Sequence, residues 1–289
     1  MTGRQNIFVT GATGNQGSAT AINLAKMGAT VTALVRDPDS PNAQKLNHPG
    51  IRLVKGNYDD PDSYKDHLAD TDGAFALFTY LKGTKKEIAQ ALSFVDAAKE
   101  KNVPFLLYSS VIGADSASGI PHWESKKAIE EYIKKSGIPY TIIRPASLFQ
   151  NFFIPDVRKR IVKGTLVMPV RKDKVQQFVS AEDIGKICAH VFTNKQDYIG
   201  LTFNIAADKM DMQTAAKTFS DVLGKPIKYS QMPGMLTRIF MGSNLYTMFN
   251  YINHNDVCFV KDMDELKVKY PYLTSLPEWI KNNRDAFNS

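Results

Sequence analysis

The sequence predicts an α/β protein built on a doubly wound parallel sheet, followed by a smaller, mostly helical C-terminal lobe. Short apolar runs alternate with helical patterns through the first half of the chain, and strands separated by helices form parallel sheets that are buried on both faces. A glycine-rich turn joins the first run to the first helix, and the regular alternation ends after Arg144-Pro145. These observations exclude an all-β protein and a helical bundle.

The strands and helices of the first half follow from these patterns in chain order. The predicted strands are residues 7–10, 30–35, 51–54, 74–78, 105–108 and 140–143, each a short apolar run. Helical patterns fill the gaps at residues 18–27, 63–68, 86–99 and 124–135. Gly28 and Gly137 follow the first and the last of these helices, at positions where glycine commonly ends a helix.

The second half is less regular. Residues 151–170 are irregular and contain two prolines, residues 177–179 and 202–205 are predicted strands, and a helix is expected from about 181 to 192. The tail from Met210 is mostly helical and rich in methionine and aromatic residues, which are typical of a core or subunit interface or of an adaptable pocket wall. We predict a dinucleotide-type domain at residues 1–150, completed by about 176–206, and a lobe formed by residues 151–175 and 207–289.

The composition excludes several classes of protein. The chain has 289 residues, of which 43% are hydrophobic and 22% charged, as in ordinary globular proteins. Its two cysteines, Cys188 and Cys258, cannot form a disulfide framework and do not suggest a metal site; they are more typical of buried apolar side chains than of redox switches. No stretch approaches the roughly 18 apolar residues of a membrane span, and no signal peptide is predicted. We therefore expect a cytoplasmic protein, or a nuclear one if it is a regulator.

The net charge of +7 raises the question of a nucleic-acid partner. The alternative is that basic residues are spread over solvated helix faces, where Glu130 with Lys134 and Glu131 with Lys135 are favourable i,i+4 pairs. No aromatic and basic repeat suggests a groove for a nucleic-acid strand. We favour a polyanionic small ligand over direct nucleic-acid binding.

The most informative segment is the glycine-rich turn between the first strand and the first helix. Gly11, Gly14 and Gly17 form a G-x-x-G-x-x-G pattern. In such turns the first glycine permits the tight bend, the second lets the backbone approach a pyrophosphate, and the third lets the helix pack closely on the sheet. The helix N-terminus then offers N–H groups and a partial positive charge to phosphates. We predict that this turn, including Thr13, Asn15 and Gln16, binds a dinucleotide cofactor.

The residue after the second strand bears on the choice of dinucleotide. Proteins that bind NAD usually carry Asp or Glu about 20 residues past the glycines, where it accepts hydrogen bonds from the ribose. Here the strand is followed by Arg36, whose guanidinium suits a 2′-phosphate. The alternative is that Arg36 only caps a surface turn. We predict that NADP(H) is preferred over NAD(H).

Two further strand ends supply candidate cofactor contacts. Asn57 and Tyr58 follow the third strand, where they would bond and flank the adenine, and Thr79 and Tyr80 end the fourth strand. The carboxyl ends of parallel strands are where ligands bind in such sheets. Ordinary loop chemistry is the alternative for each pair.

Three motifs resemble those of the NmrA-like family, whose members are atypical within the short-chain dehydrogenase/reductase superfamily. They read Thr-Gly-Ala-Thr-Gly-Asn-Gln-Gly at 10–17, Val-Arg-Asp-Pro at 35–38 and Arg-Pro-Ala-Ser-Leu-Phe-Gln-Asn-Phe at 144–152. The resemblance runs from Ile7 to about Ile205. It implies a Rossmann domain with a small C-terminal lobe. It also implies either a regulator that binds NADP(H) as a redox sensor without turnover, or a reductase.

The chain departs from the superfamily at the catalytic positions. Typical members carry Ser on strand five and a Tyr-x-x-x-Lys pair on the next helix, with Tyr as the proton donor. Ser109 is in place, but the helix pair is His122 and Lys126, which share one helical face. The resemblance implies that Lys126 bonds the nicotinamide ribose. His122 is then either a proton donor or only a residue of the cleft wall.

The resemblance also implies a cleft at the sixth strand and the segment after it. Pro145 and Ser147 follow that strand at its carboxyl end and are expected to contact the cofactor, while Phe149 and Asn151 are expected to line the substrate cleft with His122. We favour a redox-responsive regulator or binding protein with a protein partner. The alternative is an NADPH-dependent reductase of a quinone, enone or similar small apolar substrate.

Overall fold

The computed structural model describes residues 4–116 and 119–288 and divides into two units. Unit 1 comprises residues up to 116, 121–144 and 181–203, and unit 2 comprises residues around 120, 145–180 and 204 onwards. The sequence placed the first boundary at residue 150, whereas the division falls between Arg144 and Pro145, the last two residues of β6.

Twelve strands and ten α-helices are found in the described part of the chain. The strands are β1 (Asn6–Val9), β2 (Thr30–Val35), β3 (Ile51–Lys55), β4 (Gly73–Ala76), β5 (Leu106–Ser109), β6 (Tyr140–Pro145), β7 (Ser147–Leu148), β8 (Thr165–Met168), β9 (Gln176–Val179), β10 (Thr202–Ile205), β11 (Asp208–Met210) and β12 (Lys228–Gln231). The helices are α1 (Asn15–Lys26), α2 (Pro41–Gln44), α3 (Thr84–Glu100), α4 (Pro121–Lys135), α5 (Pro155–Val162), α6 (Ala181–Thr193), α7 (Met212–Leu223), α8 (Gly234–His254), α9 (Met263–Lys269) and α10 (Leu276–Asn282).

Seven strands form the large sheet in the order β10-β6-β5-β4-β1-β2-β3. Neighbouring strands run parallel from β6 through β3. The backbone N–H of Ile142 donates to the Leu201 carbonyl and that of Ala146 to the Ile205 carbonyl, so β10 also runs parallel to β6. The strand order reverses beside β1, as in doubly wound sheets. The predicted fold class is confirmed.

Helices cover both faces of this sheet and bury its apolar strands. Helix α1 packs against α6, and α3 packs against α4. The α3 and α4 side holds a core in which Phe8 of β1 stacks near Phe94 of α3, with ring centroids 6.1 Å apart. Trp123 of α4 is also buried. The glycine at 185 lets α6 approach α1, because a Cβ there would lie 2.5 Å from the Ala19 carbonyl carbon.

Three helical predictions needed correction. Helices α1 and α4 begin at Asn15 and Pro121, each three residues before the predicted start. The predicted helix at 63–68 is instead two short 3₁₀ turns, Pro61–Ser63 and Lys65–Leu68. Tyr64 separates them, since its φ of −140° cannot continue a helix.

Unit 2 has its own core and two small sheets. Strands β11, β9 and β7 form one sheet, and β12 pairs with β8 in the other. The core is rich in aromatic residues and includes Phe152, Phe219 and Trp279, all buried. The methionine-rich tail contributes to both core and surface. Gly242, with φ of +82°, breaks α8 into two arms, and the first arm leaves Met235 and Phe240 largely exposed.

Within the described ranges, no helix combines the length and apolar character needed to cross a lipid bilayer.

Candidate functional site

The glycine turn follows β1 and leads directly into α1. Thr10 follows β1, and its hydroxyl oxygen accepts a hydrogen bond from the Leu77 backbone N–H at 2.9 Å, which fixes the turn beside the end of β4. Gly11 has φ of +61°, a conformation that favours glycine. A Cβ on Gly17 would lie 2.2 Å from the Gly11 carbonyl oxygen, so the first turn of α1 can pack on the loop only without a side chain there.

Gly14 is different, because its conformation does not require glycine and an added Cβ would make one tight contact and no clash. Its φ is −95°, and an added Cβ would meet only the Gly11 carbonyl oxygen, at 3.3 Å. The position therefore keeps a space free on the outer side of the loop. Gly14 immediately precedes α1 and has no side chain to cap the helix, and the first turn of α1 contains no acidic residue. A phosphate fits this arrangement, because it accepts from backbone N–H groups and matches the helix dipole.

The residues after β2 present a guanidinium at the surface. Arg36 is exposed, and it makes no hydrogen bond or ion pair with another residue in the described part of the chain. The next residue, Asp37, uses its carboxylate to accept from the Asp39 backbone N–H at 3.0 Å. Asp37 thus closes the turn, and Arg36 remains exposed beside it.

Asn57 and Tyr58 follow β3 on the same edge of the sheet. The Tyr58 hydroxyl donates to the Leu77 carbonyl at 3.2 Å, and its ring lies 5.2 Å from the Phe78 ring. Burial raises the pKa of Tyr58 to about 12, so its hydroxyl stays neutral. The exposed Asn57 uses its side-chain oxygen to accept from the Asp59 backbone N–H at 3.1 Å.

Thr79 and Tyr80 follow β4 and approach the start of α4. The Thr79 hydroxyl caps a short 3₁₀ turn, accepting from the Leu81 backbone N–H at 3.4 Å. The Tyr80 ring stacks on the His122 ring, with centroids 4.7 Å apart and planes inclined by 30°. His122 is buried to 5% exposure, so its imidazole is fixed by this stack.

Lys126 lies one turn beyond His122 and is also buried. Its ammonium donates to the Phe78 carbonyl at 2.7 Å and lies 3.0 Å from a carboxylate oxygen of Glu87, which projects from α3. Nζ is 5.5 Å above the Tyr108 ring. Burial lowers the pKa of Lys126, and the Glu87 and Glu130 carboxylates only partly oppose that shift.

Ser109 contacts the glycine turn rather than the helix pair. Its hydroxyl donates to the side-chain oxygen of Gln16 at 2.7 Å and is fully buried. The structure therefore connects two of the predicted site residues, one at the end of β5 and one in the first turn of α1.

A second buried ion pair lies one helical turn beyond Lys126, and it was missed from the sequence. Glu130 is 2% exposed and accepts from the Arg144 guanidinium at 2.9 and 2.6 Å and from the Ser110 hydroxyl at 2.6 Å. Arg144 also pairs with Asp115 of the loop after β5. The predicted Glu130–Lys134 pair is present, with Lys134 Nζ 3.9 Å from a Glu130 carboxylate oxygen, but Glu130 is buried rather than on a solvated helix face.

The remaining predicted contacts belong to unit 2. Pro145 ends β6, and Ser147 lies opposite Phe178 where β7 pairs with β9. Asn151 is half-buried in a 3₁₀ turn, and the fully buried Phe149 ring lies 5.8 Å from the Phe178 ring. Their contact with a cofactor or substrate stays a prediction.

The two cysteines are free thiols. Burial raises the pKa of Cys188 to about 12, as expected of a thiol in an apolar site. Burial also raises the pKa of the half-buried Cys258.

A parallel sheet with a glycine turn between β1 and α1 defines a protein of the Rossmann class. The chain belongs to the NmrA-like family, whose model matches residues 3–280. The resemblance seen in the sequence is therefore confirmed.

Individual relatives show how broad this family is. The NAD(P)H azoreductase of Xenophilus azovorans is 27% identical over 228 residues, which cover 77% of this chain and 76% of that protein. Triphenylmethane reductase of Citrobacter sp., solved with NADP(H), has a TM-score of 0.81 at 22% identity and covers 96% of this chain and 99% of its own. NmrA, a negative transcriptional regulator solved with NADP, has a TM-score of 0.77 at 19% identity, with 96% and 94% covered. The similarity of this chain to these two solved structures shows the fold.

Proposed function

We propose that this chain binds a nicotinamide dinucleotide at the glycine turn and prefers NADP(H) to NAD(H). The observation that carries the proposal is the space held open at Gly14 in front of the uncapped N-terminus of α1. The names of an NAD(P)H-dependent relative and of NADP-bound neighbours agree with it. When bound, the nicotinamide supplies a hydride donor or acceptor, and the chain supplies binding and orientation.

The preference for NADP(H) depends on Arg36. A guanidinium–phosphate contact is charge-assisted and contributes about 1.5–3 kcal/mol. Calorimetric titration of both cofactors should give tighter binding of NADPH, and Arg36→Ala should reduce the NADPH to NADH ratio by about 10-fold or more. Arg52→Ala removes an exposed arginine of β3 and is the matched control. Equal affinity for both cofactors in the unchanged protein would contradict the preference.

The role that the site supports best is that of a redox-responsive regulator or binding protein with a protein partner, acting in the cytoplasm or nucleus. The Lys126 ammonium is engaged by Glu87 and by the Phe78 carbonyl, which suits a binding residue better than a mobile proton carrier. The Ser109 hydroxyl is likewise engaged by Gln16. Tyr is absent from the position of His122.

A second candidate is an NADPH-dependent reductase of a quinone, enone or similar apolar substrate. It is favoured by the juxtaposition of His122, Tyr80 and Lys126 at the carboxyl end of β4, where an imidazole could transfer a proton. Several relatives carry reductase or oxidoreductase names.

One set of measurements separates the two roles. In a regulator, Lys126→Ala weakens NADPH binding by about 1–3 kcal/mol and His122→Ala has almost no effect. In a reductase, His122→Ala lowers the rate of NADPH oxidation by around 10²–10⁴-fold while NADPH affinity stays the same. The assay is NADPH oxidation against a panel of quinones and enones. Rapid, saturable turnover that is sensitive to His122 would overturn the regulator.

A further inference from the structure

Glu87 is an acidic residue with an unusual position, since it stands near the start of α3 beside two lysines and yet is fully buried. One carboxylate oxygen accepts from the Ser125 hydroxyl at 2.5 Å, and the other lies 3.0 Å from the Lys126 ammonium. Removing two opposite charges from water is costly, and apolar side chains of similar size often stabilise a helix contact as well or better. Packing of α3 on α4 alone therefore does not explain the pair.

The geometry fixes the ammonium at one place. Phe78, two residues after β4, offers its carbonyl at 2.7 Å, and Glu87 holds the ammonium from the side of α3. Ser125 holds Glu87 in turn. An ammonium carries three N–H groups, and the hydrogen bond to Phe78 uses one of them, while the nearer Glu87 oxygen contacts the ammonium as an ion pair. The carboxyl edge of a doubly wound sheet is where a ligand is bound.

We propose that Glu87 is a positioning residue that keeps the Lys126 ammonium charged and in place, so that an N–H group not used by Phe78 can donate to a hydroxyl of the bound dinucleotide. This inference rests on the proposed function, because the dinucleotide is the ligand that it requires. Glu87 acts through Lys126 and does not itself touch the ligand.

The charges around Lys126 explain why this one carboxylate matters. Tyr80 follows β4, Tyr108 belongs to β5, and His122 and Glu130 share α4 with Lys126. Glu130 is already neutralised by Arg144 at 2.6 Å. Glu87 is thus the carboxylate in direct contact with the ammonium, and without it burial favours the neutral amine. A neutral amine has lost to solvent one of the N–H groups that can donate to a ribose hydroxyl, and it has lost its charge, so binding becomes dependent on pH.

The test uses the full-length chain and Glu87→Gln, which keeps the size and removes the charge. NADPH affinity is measured by fluorescence titration from about pH 6 to pH 10, and the ionisation of Lys126 is followed by NMR without cofactor. We expect constant affinity in the unchanged protein through neutral pH. In Glu87→Gln we expect affinity to fall by about 10-fold or more as pH rises, together with a lower pKa of Lys126. Glu100→Gln, at the exposed end of α3, is the matched control.

Two further variants keep the result decisive. Lys126→Met should bind weakly at every pH, and adding Glu87→Gln to it should cause no further change in affinity. If Glu87→Gln does not fold, Ser125→Ala removes only the hydrogen bond that orients Glu87 and should produce a smaller shift in the same direction.

The outcomes are distinguishable. If Glu87→Gln lowers the melting temperature but leaves the pH profile of NADPH affinity unchanged, the role of Glu87 is purely structural and the inference is overturned. The same result in Ser125→Ala has the same meaning where Glu87→Gln does not fold. Unchanged Lys126 ionisation in the protein without cofactor would also overturn the inference. If the unchanged protein binds no NADPH, the proposed function fails, and the inference fails with it even where the ionisation shift is observed.

Discussion

Two regions of unit 1 handle charge in opposite ways. At the glycine turn, residues 10–17 include no charged side chain, and the backbone N–H groups at the start of α1 offer a diffuse positive charge. Around α4, full charges are buried in pairs, Lys126 with Glu87 and Arg144 with Glu130. The turn can lose its ligand-binding capacity without loss of fold, whereas the buried pairs cannot lose a partner without leaving an uncompensated charge. Function and stability are therefore separable in the first region and linked in the second.

The largest expected effect is on ligand binding at the turn. Gly14→Val should abolish dinucleotide binding, because a branched side chain would occupy the space that the loop leaves open. The fold should persist, since the φ of −95° at Gly14 is accessible to valine. Calorimetry measures dinucleotide binding, and circular dichroism shows whether the protein is folded.

Gly17→Ala is the informative counterpart, because its Cβ would lie 2.2 Å from the Gly11 carbonyl oxygen and should destabilise the fold itself. If a folded Gly14→Val protein binds NADPH normally, the phosphate site lies elsewhere. The contrast between the glycine turn and the buried ion pairs around α4 is then lost.

The second effect is on stability and concerns the buried pairs. Arg144→Met should lower the free energy of unfolding by about 3–5 kcal/mol, because Glu130 would remain buried without its guanidinium. Urea denaturation measures the change. Arg171→Met is the control, since Arg171 and Asp173 are half-exposed and such pairs contribute about 0–1 kcal/mol. Similar losses in the two variants would contradict the distinction between buried and exposed pairs.

The smallest expected effect is also on stability and concerns Asp115, which pairs with Arg144. Burial raises the pKa of Asp115, but the charge and hydrogen bond of Arg144 more than offset this, so the pKa lies below its usual value. The carboxylate therefore adds stability above the unfolded-state pKa of about 3.9, and this contribution is lost as pH falls through the lower folded-state value. Because Asp115 is half-exposed, Asp115→Asn should cost about 0.2–1 kcal/mol at pH 7.

Denaturation of the unchanged protein and of Asp115→Asn at about pH 7 and pH 3 should give stabilities that converge at the lower pH. A constant difference between them would exclude ionisation of Asp115 as the cause.

The two regions also differ in how far the sequence predicts them. The glycine turn and the parallel strands depend on residues that are neighbours in the chain, so spacing and apolar runs were sufficient to predict both. The Lys126–Glu87 and Arg144–Glu130 pairs join residues 39 and 14 positions apart by their numbering, and the helical pattern alone assigned Glu130 to solvent. A buried charge is identified only when the partner elements are known to pack. The start of α1 was misplaced for a simpler reason, since Asn15 and Gln16 carry no apolar signal although they are already helical.

The distribution of tryptophan gives the molecule a pair of built-in optical reporters. The chain contains two tryptophans, Trp123 in α4 of unit 1 and Trp279 in α10 of unit 2, and both indoles are almost completely buried. Indole emission moves to longer wavelength when the ring becomes exposed to water. Trp279→Phe therefore leaves an emission signal from unit 1 alone, and Trp123→Phe leaves one from unit 2 alone. Coincident melting curves would indicate one cooperative transition, whereas separate midpoints would assign an individual stability to each unit.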